Sequence, residues 1–457
     1  MQQLTDIRNS SETEYTTLEA INEAKRCLHC KVPQCRKGCP INNNIPEFIH
    51  QLSMGNMGEA MSIINETSNL PAICGRVCPH EKQCQGHCVL NKKGNPIHIG
   101  AIEAFIADFD TQMHLLREKL PQKTRGKVAV IGSGPAGLTV AGDLARQGFS
   151  VTIFEGQHEA GGVLMYGIPE YRLPKSVVRA EIAKIEALGV NFITDCMIGE
   201  HGITVDKIFE GGFDAIFIGT GTMVPQNMDD VPGANLRGVS QSTYFLHNVN
   251  AYNDGAIGRD MVPLNLHERV AVIGGGNVAM DAARTAVRMG ASVKVIYRRT
   301  QEEMPAIKTE YEAAINEGVQ FEWKSSVIEF IGNDKHRLCQ IRVKDDAGEH
   351  IEDVDRVFLA IGSRPANRIV STTEGIEVDE KGYVKVLDRP LGMTTRKGVF
   401  AGGDVVHRPQ TVVLAMKAAK EVAQGIAQYV DAVRLLQDIK KNEQSSQDGS
   451  LNFYKPL

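Results

Sequence analysis

One pattern occurs twice in this chain of 457 residues and constrains its fold more than any other feature. A short apolar run leads directly into a glycine-rich turn, which is followed by an amphipathic helix and a second apolar run. The first copy begins at Lys127 and the second at Arg269. Strand, glycine turn, helix and strand in this order make a dinucleotide-binding βαβ unit. We therefore predict an α/β protein with two Rossmann-like nucleotide-binding domains.

The two glycine turns are predicted to hold pyrophosphate groups. Glycines permit a tight turn and a close approach of the backbone, and the N–H groups at the start of the next helix bind phosphate oxygens. The residues expected at the phosphates are Gly132, Gly134 and Gly137 in the first turn, and Gly274, Gly276, Asn277 and Ala279 in the second. For either copy alone, a glycine turn without a ligand is the alternative. Two copies in one chain favour nucleotide binding.

The residue that follows the second strand differs between the copies. Glu155 in the first copy suits the two hydroxyls of an unphosphorylated ribose, as in FAD or NAD. The second copy has Arg298 and Arg299 there, and guanidinium groups can bind a ribose 2′-phosphate in a bidentate manner. We predict that the second site prefers NADPH to NADH, with a solvated basic turn as the alternative.

A third glycine-rich turn indicates which copy holds FAD. An apolar run ends at Gly403 and Asp404, and a long helix starts at Thr411. An aspartate at this place can bind a ribityl hydroxyl or a flavin phosphate, and the N-terminus of the helix would face the flavin ring. Two further apolar runs that end in glycine, at 215–221 and 357–362, bracket the second copy. This order predicts a nucleotide domain inserted into a discontinuous FAD domain.

The glycine-rich segment 161–174 is predicted to line the flavin pocket through Gly162 and Arg172, with a plain surface loop as the alternative. Hydride transfer from a nicotinamide to a flavin requires no acid or base side chain, because orientation and exclusion of water do most of the work. We therefore assign no catalytic residue.

Eight of the ten cysteines lie in two short runs near the N-terminus. The first run, Cys27–Cys39, has the spacing C-x2-C-x4-C-x3-C and is followed by proline. The second, Cys74–Cys88, has the spacing C-x3-C-x5-C-x3-C. Met1–Ser10 is polar and lacks the apolar core of a signal peptide, so we expect a reducing compartment in which metal is favoured over disulfides. The other two cysteines, Cys196 and Cys339, are interpreted as core residues.

Iron–sulfur clusters fit this spacing better than zinc. Structural zinc usually uses two C-x2-C pairs, and only one is present. The cysteine–proline ending is typical of ferredoxins, in which the last cysteine of a run binds the other cluster. We predict two clusters whose ligands can cross between the runs. After Cys88 there is no C-x-x-C, so a redox disulfide of the thioredoxin-reductase kind is not expected.

Charge and hydropathy exclude other classes of protein. The net charge is −5 with both signs mixed, so no basic face for nucleic acid is expected. No apolar stretch approaches the ~18–20 residues of a membrane span. We expect a soluble cytoplasmic protein of two or three domains that binds neither nucleic acid nor membrane.

Several motifs in this order resemble the glutamate synthase small-subunit (β-subunit) family. They are EAKRCLHCKVPQCRKGCP, CGRVCP, GSGPAG, GGVLMYGIPEYRLPK, GGGNVAMDAAR, YRR with MPA, and GVFAGGDVV. The resemblance covers nearly the whole chain. The same module is similar to the N-terminal half of dihydropyrimidine dehydrogenase and to the large subunit of bifurcating NADH-dependent ferredoxin:NADP oxidoreductase.

The resemblance implies an architecture. Residues 1–120 would form an all-α domain with two [4Fe–4S] clusters, 121–255 with 368–457 a discontinuous FAD domain, and 256–367 an NADPH domain of the glutathione-reductase type. One cluster would be bound by Cys27, Cys30, Cys35 and Cys88, and the other by Cys39, Cys78, Cys84 and a residue that is not a cysteine. Glu103 is the candidate for that last ligand, with a plain exposed helix acid as the alternative. Cys74 would then be a spectator.

The resemblance also implies an activity. Hydride would pass from NADPH to FAD, and single electrons would pass through the clusters to a large glutaminase/synthase subunit that makes glutamate from glutamine and 2-oxoglutarate. Two alternatives within the same enzyme class are the NAD(P)H-side subunit of a bifurcating oxidoreductase and that of dihydropyrimidine dehydrogenase. A non-catalytic electron-relay or redox-sensing module is the alternative from another class.

Overall fold

The N-terminal domain is entirely helical. The structure, a computed structural model, describes residues 15–115, 118, 120–199, 203–409 and 411–450, the last six of these as backbone only. Its first six α-helices are α1 (Thr17–Lys25), α2 (Gln34–Gly38), α3 (Ile45–Ser53), α4 (Met57–Asn65), α5 (Pro71–Val77) and α6 (Ile99–Met113). Helix α1 begins with a capping box, in which Thr16 Oγ1 accepts a bond from Glu19 N–H and the Glu19 carboxylate accepts one from Thr16 N–H. The apolar faces of α3, α4 and α6 enclose one core, to which Phe48, Ile64 and Ile102 belong.

The first nucleotide-binding unit is built on a five-stranded parallel sheet. Its elements are β1 (Lys127–Ile131), α7 (Pro135–Arg146), β2 (Ser150–Phe154), α8 (Val163–Tyr166), α9 (Lys175–Ala187), β3 (Asn191–Ile193), α10 (Val205–Glu210) and β4 (Ala215–Ile218), together with β15 (Val399–Ala401) and α15 (Val412–Ser450) from the C-terminal part. The strand order is β15–β4–β1–β2–β3. The chain leaves β1 toward one side and returns to β4 on the other, so the order reverses at β1. Ligands of such sheets bind at the carboxyl ends of the strands beside this point.

The second unit repeats the arrangement. Its elements are β6 (Val239–Gln241), α11 (Ser242–Asn253), β7 (Arg269–Ile273), α12 (Asn277–Arg288), β8 (Ser292–Tyr297), α13 (Lys308–Asn316), β9 (Gln320–Trp323), β10 (Ser326–Gly332), β11 (Leu338–Lys344), β12 (Glu349–Asp353) and β13 (Arg356–Leu359). The parallel sheet has the order β6–β13–β7–β8–β9, and β10, β11 and β12 form a separate antiparallel sheet. The expected pair of Rossmann-like units behind a helical domain is confirmed.

The two units are connected through a short ribbon. Strand β5 (Val224–Pro225) pairs antiparallel with β14 (Ser363–Arg364), which is followed by α14 (Arg368–Ser371). The boundary expected after residue 255 moves to this ribbon, because β6 pairs with β13 and Phe245 of α11 stacks on Phe358 of β13. Strand β6 has only three residues, two of them polar, so its sequence gave no strand signal.

The helical domain and the first unit share a core. Ile73 of α5 and the preceding residue, Leu70, pack into the same apolar cluster as Leu138 of α7 and Met416 of α15. Helix α5, which carries Cys74, is therefore packed against the first unit. No helix in the described part of the chain is both long and apolar enough to span a bilayer.

Candidate cofactor and cluster sites

The first glycine turn lies at the carboxyl end of β1, at the point where the strand order reverses. Gly132 has a φ of +96°, which residues with a side chain rarely adopt. A Cβ on Gly137 would lie 2.0 Å from Gly132 O, whereas a Cβ on Gly134 would meet no atom within 4 Å. The turn is therefore compact on its inner side, and open space lies in front of the first N–H groups of α7. A phosphate can approach these groups from that side.

Glu155 is held at the edge of this turn. Its carboxylate is buried and accepts bonds from Ser133 N–H at 2.9 Å and from Gln157 N–H at 2.8 Å, one on each oxygen. The Ser133 hydroxyl donates to the same carboxylate and accepts a bond from Gly161 N–H at 2.9 Å. The acid that the sequence predicts for a ribose is thus fixed beside the predicted pyrophosphate turn.

Two other predicted residues close around the turn. Gly162 has a φ of +54°, and a Cβ there would lie 3.1 Å from Gly134 Cα. Gly403 has a φ of +73°, and a Cβ there would lie 2.8 Å from the Cβ of Ala136. Asp404 follows Gly403 in the same turn. The structure therefore brings three parts of the chain that are far apart in sequence onto one glycine turn.

Thr411 lies just before α15. Leu414 N–H donates to the backbone carbonyl of Thr411 at 3.1 Å and also to its hydroxyl at 3.4 Å, so Thr411 holds the first turn of this helix. Its role toward FAD stays a prediction.

Arg172 is placed differently from the expectation. Its Nη1 lies 2.6 and 2.8 Å from the two carboxylate oxygens of Asp281, and its Nε lies 3.1 Å from a Glu310 oxygen. Asp281 lies on α12 and Glu310 on α13, both in the second unit. Its guanidinium group therefore joins the two units, and its assignment to FAD stays a prediction.

Tyr171 extends this contact between the units. Its ring lies under two guanidinium groups, with the Cζ atoms of Arg284 and Arg288 at 4.7 and 4.0 Å from the ring centre. Burial raises the pKa of Tyr171 far above its usual value, so the phenol stays neutral. Sequence reasoning missed this network, because acidic and basic residues three positions apart on a helix are also typical of a solvated surface.

The second glycine turn has the same shape with a different support. Gly274 has a φ of +137°, and a Cβ there would lie 2.4 Å from Ala360 O. Gly276 precedes α12, and a Cβ on it would meet no atom within 4 Å. Ala279 is fully buried, so a methyl group is accepted at the position that corresponds to Gly137. Space for a phosphate again lies before the helix.

A loop at 304–308 anchors the second turn. The Asn277 side-chain oxygen accepts a bond from Ile307 N–H at 2.9 Å, and Gly275 O accepts one from Ala306 N–H at 3.2 Å. The helical domain contacts the same loop, since Glu81 accepts a bond from Lys308 N–H at 2.7 Å. The Asn277 side chain therefore supports the loop, and the contact of this residue with a phosphate stays a prediction.

Arg298 and Arg299 directly follow β8, and both side chains are exposed. Within the described part of the chain, their guanidinium groups form no ion pair with a carboxylate. They are available to an anion at the carboxyl end of β8, where the ribose of a dinucleotide lies in such units.

Four cysteines from both runs line one cavity of the helical domain. They are Cys27, Cys30, Cys35 and Cys88. No two of the ten cysteines, all of which lie in the described part of the chain, are joined by a disulfide. Burial raises the pKa of Cys35 to about 11, and the neighbouring thiols act in the same direction. Such thiols ionise only when a cation compensates their charge, so this set fits a bound iron cluster.

The remaining predicted ligands form a second group. Burial, and then the charge of Glu103, raise the pKa of both Cys39 and Cys84, the first to about 11. The pKa of Cys78 is raised by a hydrogen bond with Cys74, by burial and by Glu103. Burial raises the pKa of Glu103 itself to about 8. Glu103 is thus a buried acid among three thiols, as a cluster ligand would be, and it is not an exposed helix acid.

Cys74 lies beside this group but faces the apolar core. It is 1% exposed, and its sulfur lies 3.5 Å from the sulfur of Met416. Its hydrogen bond with Cys78 keeps it in contact with the second group, and its spectator role stays a prediction.

Comparison with known proteins identifies the two parts of the chain. Residues 4–115 match the family described as dihydropyrimidine dehydrogenase domain II with a 4Fe–4S cluster, and residues 126–419 match the pyridine nucleotide–disulphide oxidoreductase family. A glutamate synthase [NADPH] small chain of Halomonas elongata is 36% identical, over 91% of this chain and 92% of its own length. The chain belongs to the glutamate synthase small-chain family.

Two further similarities describe the breadth of this family. An NAD-dependent dihydropyrimidine dehydrogenase subunit PreT homolog of Salmonella typhi is 34% identical, over 91% of this chain and 96% of its own length. A thioredoxin reductase structure from Lactococcus lactis, 24% identical, covers 67% of this chain and 99% of its own with a TM-score of 0.50. That structure supports the fold of the two nucleotide units. The members of the small-chain family named here serve different enzymes, so membership leaves the partner open.

Proposed function

We propose that the chain is the NADPH-oxidising small subunit of a glutamate synthase. It would take hydride from NADPH and deliver single electrons to a large subunit that makes glutamate from glutamine and 2-oxoglutarate. The observation that carries this proposal is the similarity to a glutamate synthase small chain over nearly the full length of both proteins. The pair of exposed arginines after β8 supports NADPH as the donor.

The residues proposed to hold FAD surround the first glycine turn. They are Gly132, Gly134, Gly137, Glu155, Gly162, Gly403, Asp404 and Thr411. Bound FAD supplies the centre at which a two-electron donor meets one-electron carriers. The protein itself would bind and orient this cofactor. The first N–H groups of α7 would bind the pyrophosphate and Glu155 the ribose, while segment 161–174 would shield the turn from water.

The residues proposed to hold NADPH lie in the second unit. Gly274, Gly276 and Ala279 shape the turn, the backbone of Asn277 begins the helix, and Arg298 and Arg299 bind the 2′-phosphate. Since the arginines are exposed and the turn is open, we expect this nucleotide to exchange with solvent.

We propose two [4Fe–4S] clusters in the helical domain. One is bound by the four cysteines of the cavity: Cys27, Cys30, Cys35 and Cys88. The other is bound by Cys39, Cys78, Cys84 and Glu103, with Cys74 as a spectator. Spectroscopy of Glu103→Ala and Cys74→Ala tests the partition, because loss of a cluster only in the Cys74 variant would contradict it.

Reconstitution with a large glutamate synthase chain tests the function. We expect the purified chain alone to reduce a dye with NADPH, and the complex to form glutamate from glutamine and 2-oxoglutarate. NADPH-dependent dye reduction without glutamate formation would exclude the glutamate synthase role and leave the oxidoreductase. A flavin that NADPH never bleaches would support a non-catalytic relay.

A second candidate is the electron-input subunit of a dihydropyrimidine dehydrogenase, which the similarity to the Salmonella typhi protein favours. That relative is described as NAD-dependent, so the nucleotide preference of this chain separates the two candidates. A preference for NADH would favour the second.

A further inference from the structure

Three apolar side chains near the first cysteine cavity are exposed. Leu28 is 61% exposed, Val32 60% and Val89 36%. Leu28 and Val89 also line the cavity of Cys27, Cys30, Cys35 and Cys88, so they are close to each other although they are far apart in sequence. Single exposed apolar residues are common, but a group of them around one cavity marks a place where another surface can bind.

Positive charge is concentrated in the chain segments that carry these side chains, although Arg26 pairs with Glu23 at 2.6 Å. The segments 24–46 and 82–102 together contain eight lysines and arginines and no aspartate or glutamate, although the net charge of the chain is −5. Lys31, Lys92 and Lys93 are exposed, and none of them pairs with a carboxylate among the described residues. We define the cavity surface as Leu28, Lys31, Val32, Val89, Lys92 and Lys93.

The other group of cysteines is more enclosed, although Cys39 and Cys78 are only partly buried. Cys84 is 7% exposed and Glu103 8%, and the acid faces Glu181 of α9 in the first nucleotide-binding unit. Cys78 packs against the core that the helical domain shares with that unit. Of the two cysteine groups, the one in the cavity therefore offers a separate protein the closer approach.

We propose that the cavity surface docks a redox protein that presents acidic side chains around its own one-electron centre. This inference rests on the proposed function, because it requires electrons to leave through the helical domain. Two transfers of one electron each, to an oxidised iron–sulfur or flavin centre of that protein, balance the two electrons of one NADPH. The lysines would attract and orient the acidic surface, and the apolar side chains would form the dry centre of the contact.

Basic and apolar groups on a protein can also bind an anionic membrane. The local structure of the cavity surface, however, favours a protein partner. The elements that carry the cavity surface are a loop before the five-residue helix α2 and a 3-10 segment, Val89–Lys93. Neither is the long amphipathic helix with one apolar face that lies in a membrane interface. A compact patch of this kind suits a rigid protein surface.

Charge reversal with a matched control tests the proposal. The test variant is Lys31→Glu with Lys92→Glu. The control is Lys335→Glu with Lys344→Glu, two exposed lysines on or beside the antiparallel sheet of the second unit. The probes are an acidic bacterial ferredoxin and, for the opposite charge, cytochrome c. Affinity of the cofactor-loaded chain for each is measured by calorimetry at low and at high salt.

We expect the test variant to bind the ferredoxin at least tenfold more weakly than the wild type at low salt, with a smaller difference at high salt. The control should stay within about twofold of the wild type. Leu28→Ser should weaken binding at both salt concentrations. Iron content confirms that each variant is folded, and Lys93→Glu replaces the double variant if that one loses its clusters.

Three results would overturn the proposal: equal weakening by the test and control pairs, equal affinity for cytochrome c, or binding to phosphatidylserine vesicles in place of ferredoxin. The proposed function is tested separately by glutamate formation with a large chain. If the ferredoxin binds as expected and no glutamate forms, the docking surface stands and the glutamate synthase role fails. If neither pair of substitutions changes ferredoxin binding or glutamate formation, the glutamate synthase role stands and the docking surface fails.

Discussion

The two glycine turns follow the same path, but the chain covers them differently. The first turn is enclosed by its own unit: Gly162 lies against Gly134, and Gly403 against Ala136. The second is supported from behind by the loop at 304–308, while Arg298 and Arg299 beside it are exposed. One βαβ unit can therefore hold a resident cofactor or an exchanging substrate, and the covering segments determine which. This difference agrees with FAD in the first unit and NADPH in the second.

The largest effect is expected where the two units are joined. Arg172→Leu removes the cation that faces Asp281, whose side chain is 6% exposed. A buried carboxylate left without its partner costs about 3–5 kcal/mol of folding stability. We expect a lower midpoint in urea unfolding and slower reduction of the flavin by NADPH, with FAD content unchanged.

The double variant Arg172→Leu with Asp281→Leu is the control for this pair. Since it removes both charges, it should recover much of the lost stability without restoring the rate of flavin reduction. If Arg172→Leu loses FAD but keeps its stability, the guanidinium group belongs to the flavin site after all.

The third small residue of each turn offers a direct comparison. A Cβ on Gly137 would lie 2.0 Å from Gly132 O, while Ala279 carries its methyl group without a clash. We expect Gly137→Ala to cost about 1–3 kcal/mol and to lower the retention of FAD. Ala279→Gly should cost about 1 kcal/mol or less and leave NADPH oxidation nearly unchanged. Flavin-to-protein ratios after gel filtration measure the first effect, and equal ratios in both variants would contradict it.

The sequence predicted what local patterns determine. Both strand–turn–helix units lie where the sequence predicts them. The motifs also indicate Gly132, Glu155 and Gly403, which the structure brings to one turn. The contact between units was not predictable in this way. Arg172 was assigned to FAD because it lies in a glycine-rich segment, and nothing local shows that α12 will present Asp281 to it. Such pairs depend on how two domains pack, and the spacing of residues along one helix does not contain that information.

The arginines after β8 are expected to carry the nucleotide preference. Arg298→Ala with Arg299→Ala removes the groups proposed to bind the 2′-phosphate, so NADPH should lose about 1–3 kcal/mol of its advantage over NADH. The ratio of kcat/KM for the two nucleotides measures this change, and KM for NADPH should carry most of it. The matched control is Arg364→Ala, an exposed arginine in the ribbon between the units. An unchanged ratio in the double variant would mean that the basic turn is only solvated.

The smallest effect concerns segment 161–174, which covers the first turn. Lys175 is 3% exposed, and its ammonium group donates to the carbonyls of Leu164 and Ile168 within this segment. Burial lowers its pKa to about 8 from an ordinary value of 10.5. Between these two values the unfolded chain binds a proton that the folded chain has released. Folding stability should therefore rise with pH from about 8 to 10.5. Below about pH 8 both states carry the proton, and this gain in stability is absent.

Lys175→Met removes this titration together with the two hydrogen bonds. Loss of the bonds lowers stability by a similar amount at every pH at which the lysine is charged, whereas loss of the titration changes the slope. We expect the wild type to gain about 1 kcal/mol on the variant between about pH 7.5 and 9, in urea unfolding followed by fluorescence. Lys335→Met, at an exposed position, should show no such change. A difference between wild type and Lys175→Met that stays constant with pH would mean that the ammonium group is solvated, and that the covering segment opens more readily than its buried contacts indicate.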